Sequence, residues 1–248
     1  MSSSVPLLYT AGTPNGQKVS ILLEELKHAY NFQYEVRKID FQKREQKEPW
    51  FLKINPNGRI PALVDRSRDN FAVFESAAIL LYVAQRYDVA RKFSYDPAID
   101  IELYSEQLQW MFFAHGGVGP MQGQAAHFAR YASEKIPYAI NRYIDETKRL
   151  YSVLNDRLAD REYLVGPGKG KYGLADINLF PWVHGHIWAG IDSLETYPNV
   201  EAWARRITER SQVHSGLDVP DPQGPPMTKE DEEKVIEERR KWIFPTQN

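Results

Sequence analysis

Cysteine is missing from all 248 residues of the chain, which excludes a disulfide, a thiolate nucleophile and a cysteine-ligated metal. Any thiol chemistry must therefore use sulfur brought by another molecule. Charge of one sign is missing too. The 31 basic and 33 acidic residues leave a formal charge of −2, too weak a field to hold a nucleic-acid backbone, so no nucleic-acid partner is expected. No uninterrupted apolar run approaches the roughly 20 residues needed to span a bilayer. The opening MSSSVPLLYT lacks a basic segment followed by a long apolar stretch, so no secretory signal is read there. The expectation is a soluble, cytoplasmic protein with no membrane partner.

What is present is ordinary in bulk and informative in order. The 42% hydrophobic and 26% charged content suits a globular chain, and the length fits one large domain or two smaller ones. Up to about residue 90, strand-like and helix-like segments alternate: PLLY, a helix after Thr13, YEVRKI, then ALVD and FAVF around the turn-rich RSRDN, then ESAAILLYVAQRY. That order predicts β-α-β, a long connection, a β-hairpin and a helix. From about Ile99 onward strand signals vanish. Ile101, Tyr104, Leu108, Met111 and Phe112 share one helical face, Ile140, Ile144, Tyr151, Leu154 and Leu158 mark a second helix, and Val200, Trp203 and Ile207 a third. The expected division is an α/β unit over 1–90, a linker over 91–98 around the aperiodic DVARKFSYDP, an all-helical unit over 99–216 and an extended arm over 217–248 wrapping its own domain. Within the arm, Thr228 and Asp231 resemble a capping box ahead of a charged helix.

Three stretches carry the chemistry. In TPNGQKVSILLEEL, Thr13 is the predicted cap, Pro14 suits the first helical position, and Val19, Leu22, Leu23 and Leu26 form the buried stripe. In NPNGRIPALV, a proline precedes a strand. A cis Ile60-Pro61 bond there would present the Ile60 backbone to a peptide lying alongside as an added strand, whereas the segment alone also fits a trans proline at a strand start. In ESAAILLYV, Glu75 and Ser76 open a helix. They suit a plain cap, or an ammonium held by Glu75 and a carboxylate held by Ser76 and the free N–H groups.

Taken together, NPNGRIPALV, FESAAILLYVA and YGLADINLFPWV resemble the cytosolic glutathione transferases over about Pro6 to Gly216. TPNGQKVSILLEEL, LQWMFFAHGGVGPMQGQ and IPYAINRYIDETKRLY look most like the nu-class disulfide-bond reductases and the fungal relatives of yeast's nitrogen-catabolite regulator. The resemblance implies a thioredoxin-like α/β N-terminal domain, an all-α C-terminal domain, a homodimer, and glutathione as co-substrate.

It also implies a place for the glutathione sulfur, the N-terminus of the first helix, where free N–H groups and the dipole lower a thiol pKa. Asn15 is the first candidate donor to that sulfur and Thr13 the second. Tyr9 is a rival whose strand position favours packing. Gly16 is read as room for the ligand to approach. Gln46, Ile60 with Pro61, Glu75 and Ser76 carry over as glutathione contacts, Arg59 and Lys53 as cations for its glycyl carboxylate, and Arg142 as a contact across the subunit interface.

Trp110, Phe113 and His115 are candidates for the second-substrate pocket, with core packing the alternative for Trp110. His115 lacks a paired ligand pattern, so no metal is expected. Asp176 resembles the buried capping aspartate of a structural helix, with Gly173 where the family has Ser or Thr.

The expected function is glutathione-dependent disulfide reduction, conjugation to electrophiles, or both. The alternative is a non-enzymatic glutathione-binding regulator of a protein partner. The regulator's Asn/Gln-rich extension has no counterpart here, since the fold is expected to start within a few residues of Met1.

Overall fold

Alternating side chains in four short strands build the first layer. In the computed structural model, which describes residues 4–224 and 228–244, these are β1 (Leu7–Thr10), β2 (Glu35–Lys38), β3 (Ala62–Asp65) and β4 (Phe71–Phe74). The first three residues of the expected N-terminal unit, and 225–227 and 245–248 of the expected arm, lie outside the described residues. The sheet order is β2-β1-β3-β4, with β1 parallel to β2 and the other pairs antiparallel.

Leu8 pairs with Leu63, and both point into the main core against helices α1 (Pro14–Tyr30) and α3 (Ser76–Tyr87). Their neighbours Leu7, Tyr9, Ala62 and Val64 point the other way. There they meet Ile39 and the Phe51 ring of α2 (Pro49–Leu52) in a second, smaller core.

The chain then turns helical. Helix α4 (Ile101–Phe113) runs through a π-helical turn (Ala114–Val118) into α5 (Gly119–Ala126) and a second such turn (His127–Tyr131). After it come α6 (Pro137–Arg157), α7 (Leu174–His184), α8 (Pro198–Thr208), α9 (Ser211–Leu217) and α10 (Lys229–Ile243).

The two halves meet along α1, whose stripe also faces the helical half. A Cβ on Gly216 of α9 would lie 2.5 Å from the Ile21 Cα, so only glycine permits this approach. Ser20 donates to the Gly216 carbonyl at 2.6 Å, and Arg210 grips the buried Glu25 through two contacts of 2.7 and 2.8 Å. Helix α1 is thus clamped to the helical half along its middle turns.

The aperiodic segment after α3 is pinned by one side chain. Buried Asp88 accepts hydrogen bonds from the Tyr30 hydroxyl, the Lys92 and Phe93 N–H groups and the Ser94 hydroxyl at 2.6–2.9 Å. The Leu174 N–H at the start of α7 donates to the Phe93 carbonyl at 2.8 Å, and a Cβ on Gly173 would stand 2.6 Å from that same oxygen. This approach explains why glycine replaces the expected Ser or Thr. Asp176 supplies the remaining half of the cap, accepting from the Gly173 N–H at 3.1 Å, and also holds Leu164 N–H and the Trp203 indole at 3.1 and 2.9 Å.

Within the expected arm, the described residues after Thr228 contact both halves. They form a helix, started by reciprocal Thr228 and Asp231 bonds, that buries no residue. Arg239 and Arg240 fasten it to Tyr131 and Arg130, and the Trp242 ring sits 4.9 Å from Phe41 in the loop after β2. Capping and arginine anchors thus replace burial, and the helix touches both halves.

Candidate functional site

The N-terminus of α1 lies where the two halves meet, since Asn15 of its first turn touches Trp182 of α7. Thr13 caps it, its hydroxyl oxygen accepting the Gly16 N–H at 3.2 Å, with extended backbone as a cap requires. Asn15, half-buried in the first turn, accepts the Trp182 indole N–H at 3.1 Å through Oδ1. No described protein group accepts from its Nδ2, so the amide donor remains for a ligand.

Gly16 needs a different explanation from ligand approach. A Cβ there would stand 2.4 Å from both the Ala11 carbonyl and the Thr10 hydroxyl, so glycine lets the helix fold back on its own entry loop. Tyr9 lies in the second core between Trp50 and Phe51, with Arg37 5.9 Å from its ring, the position of a packing residue.

One turn after Asn15 stands Lys18, a residue that sequence reasoning passed over. It is 1% exposed. Burial pulls its amine down to about 7, with the Glu75 charge acting in the opposite direction. No carboxylate lies within ion-pair distance of it among the described residues. The period of α1 alone gives no signal for this, because a lysine there also suits an exposed face.

In the same half, the cap of α3 is Glu75 at φ 68° and ψ 119°, a backbone region that costs a side-chain-bearing residue about 1–3 kcal/mol. Strain of this kind is held where a side chain has a task. The Glu75 carboxylate, 49% exposed, lies 3.2 Å from His115 Nε2 in the first π-helical turn. Ser76 beside it is buried. The fold therefore joins Glu75 to His115, residues that the sequence assigned to different subsites.

The Ile60-Pro61 bond is cis, just before β3. The ladder ends with Ala62 paired to Tyr9 and Phe74, which leaves the Ile60 backbone beyond it. Gln46 is buried in a short 3-10 turn (Glu45–Lys47), and its side-chain oxygen has no hydrogen-bond partner in the protein. Such an atom invites a ligand donor. Lys53 and Arg59 are exposed near the ends of α2 and of the loop before β3.

Trp110 and Phe113 are neighbours at 5.2 Å, but the Arg157 guanidinium lies 5.4 Å from the Trp110 ring. That places Trp110 on the α4–α6 seam, as a packing residue would be. Arg142 is 55% exposed on α6, its nearest carboxylate being Glu146 at 4.0 Å, and it joins none of the groups above within one chain.

Among the described residues no helix is long and apolar enough to cross a membrane, and no group of three or more His, Asp or Glu is placed to hold a metal ion.

Family models for the "Glutathione S-transferase, N-terminal domain" and "Glutathione S-transferase, C-terminal domain" match residues 4–85 and 132–211. The chain is 42% identical over 214 residues to the disulfide-bond oxidoreductase YfcG of Escherichia coli (strain K12), covering 85% of this chain and 93% of that protein. A glutathione transferase homolog from Lodderomyces elongisporus, solved with two GSH per subunit, superposes with a TM-score of 0.80 at 40% identity, covering 88% of this chain and 100% of that one. The nitrogen regulation fragment of the yeast prion protein URE2P gives 0.79 at 34%, covering 87% and 97%.

Proposed function

The chain belongs to the glutathione S-transferase family, and from its site we propose an enzyme that activates the thiol of bound glutathione at the N-terminus of α1 and uses it to reduce disulfides. The observation that carries this reading is the uncommitted Asn15 amide donor at a helix N-terminus, in a chain with no cysteine of its own. Hydrogen bonds to a charged sulfur are worth roughly 1.5–3 kcal/mol, and the free N–H groups of the first turn add to them. Asn15 is the principal donor and the Thr13 hydroxyl the second.

The remaining proposed contacts follow from position. Gln46 lends its unpaired oxygen, Ile60 its backbone, Glu75 a carboxylate for the ammonium group, and Ser76 with the start of α3 a place for a carboxylate. Lys53 and Arg59 face the glycyl carboxylate, and Arg142 reaches the glutathione of the other subunit in a homodimer. His115 and Phe113 border the second-substrate side, in a protein proposed to reside in the cytoplasm and to use no metal.

The reaction balances with glutathione alone. The bound thiolate attacks one sulfur of the substrate disulfide, forming a mixed disulfide and releasing one half as a thiolate. A second glutathione thiolate attacks the glutathione sulfur, releasing the other half and leaving oxidised glutathione. Two electrons pass from two glutathiones to one disulfide, and the released thiolates take up the two protons. With no protein thiol to resolve the intermediate, the site must admit the second tripeptide. The similar Lodderomyces protein, solved with two GSH per subunit, supports that requirement.

The test is reduction of hydroxyethyl disulfide, coupled to NADPH and glutathione reductase, beside conjugation of an aromatic halide on the same preparation. Fast reduction with weak conjugation is expected, and the reverse identifies an electrophile-conjugating transferase. Similarity to the URE2P fragment favours a second reading, a glutathione-binding regulator. That reading requires silence in both assays and one stoichiometric protein partner.

A further inference from the structure

Asn15 has an amide with two chemically opposite ends, and only one of them serves a thiolate. Its Nδ2 donates and its Oδ1 accepts. Left to rotate, the group would offer the sulfur a lone pair about as readily as a hydrogen.

The indole N–H of Trp182 removes that ambiguity, because indole donates and never accepts. It stands 3.1 Å from Asn15 Oδ1, reaching across 167 positions of sequence from α7 to α1. With the oxygen engaged there, the NH2 is turned away from α7.

The indole is itself held from several sides. On α5, a Cβ at Gly119 would lie 3.0 Å from Trp182 Nε1, and one at Gly123 would lie 3.4 Å from the far edge of the ring. Two glycines one turn apart thus form the floor on which the ring rests. The Trp182 carbonyl accepts from Gln122 Nε2, while Gln122 Oε1 accepts the hydroxyl of fully buried Tyr151 on α6 at 2.7 Å. Hydrogen bonds therefore run from Tyr151 through Gln122 to the Trp182 backbone, and from its ring to Asn15. Trp182 also packs against the main core, so its ring is fixed by packing as well as by hydrogen bonds.

We infer that Trp182 is a positioning residue for thiol activation: its indole N–H, seated on Gly119 and Gly123, fixes the Asn15 amide with its donor toward the glutathione sulfur. The inference rests on the proposed role of Asn15 as donor. It gives the helical half a direct part in the chemistry of the α/β half.

The experiment is a double-mutant cycle with Trp182→Phe and Asn15→Ala. It reads kcat/KM for disulfide reduction and the pH dependence of thiolate formation by bound glutathione, followed by ultraviolet absorbance. Asn15→Ala is expected to lower kcat/KM about 10-fold or more, and Trp182→Phe about 3- to 10-fold, each raising the thiol pKa. The double variant should be no worse than Asn15→Ala alone, since an amide that is absent cannot be oriented.

A purely structural tryptophan would instead lower thermal stability, leave the bound thiol pKa unchanged and give additive losses. Gly119→Ala supplies an independent perturbation: its methyl displaces the indole and should reproduce the Trp182→Phe shift while both partners remain. Asn15→Asp still accepts from the indole but has no donor, and should shift the thiol pKa at least as far as Asn15→Ala. An unchanged pKa in Trp182→Phe, beside a shifted one in Asn15→Ala, overturns the inference alone. Silence of Asn15→Ala overturns the reading beneath it.

Discussion

Lys18 shows how one side chain writes a pH dependence into the whole fold. Its amine falls from the ordinary 10.5 to about 7, first because burial strips its hydration and despite the opposing attraction of Glu75. Between those values the unfolded chain holds a proton that the folded one has released, so stability rises with pH across that window. Below pH 7 both states are protonated, and the full cost of the buried charge is present. The upper limit comes from tyrosines such as Tyr82 and Tyr95, which burial pushes up to about 12. Their unfolded counterparts ionise near pH 10 and reverse the trend there. Lys18→Met is therefore expected to be more stable than the parent at pH 7 by about 1–3 kcal/mol, with the advantage shrinking as pH rises. Urea midpoints at pH 7, 8 and 9.5 check this, and parallel pH profiles for the two proteins would refute it. His115 makes a second residue-scale case. Its contact with Glu75 occupies a carboxylate oxygen that the glutathione ammonium would use. The pair is partly exposed and worth at most about 1 kcal/mol, so His115→Ala should lower the KM for glutathione about 2- to 5-fold. A raised KM would assign His115 to substrate binding instead.

Elements that look alike in sequence draw on different sources of stability, and α7 rests on a single carboxylate. Asp176 is fully buried, and that burial lifts its pKa to about 6 against the donors that favour the charged form, the Trp203 indole first among them. Asp176→Ala would leave the Trp203 indole and the Leu164 and Gly173 N–H groups without an acceptor in the core. The expected loss is about 3–5 kcal/mol, read as a lower urea midpoint. Asp176→Asn should retain part of the stability, since its oxygen can still accept. A loss under 1 kcal/mol would show that the helix holds without its cap. Much of this was legible in the sequence. Thr13 and Pro14 announce the start of α1, the apolar runs mark the strands of the α/β half, and Asp176 stands at the third position of its helix. What could not be read lies in contacts between distant segments. Gly173 looks like a weakened cap until Phe93 is found against it, and Gly119 with Gly123 look like helix breakers until an indole is found resting on them. Local spacing carries capping and periodicity, but not which distant backbone or ring will claim a vacant Cβ position.

At the scale of the molecule, α10 ties the two halves by a route separate from the α1–α9 seam. None of its residues is buried, so its contribution to global stability is limited to surface contacts, each worth about 1 kcal/mol or less. Its Trp242 nonetheless meets Phe41 at 4.9 Å, in the loop that leads to Gln46, a proposed glutathione contact. Local order and global stability therefore separate. An aromatic pair of this kind contributes about 0.5–1.5 kcal/mol beyond its burial, enough to change the population of an open loop several-fold without unfolding the protein. Trp242→Ala is expected to leave the urea midpoint almost unchanged while hydrogen exchange in residues 40–47 accelerates about 2- to 10-fold. The KM for glutathione should rise with it, and kcat should not. If the exchange rates stay fixed, α10 is a passenger on the helical half. If the midpoint falls steeply, the helix belongs to the core's cooperative unit, and the burial argument for its independence fails.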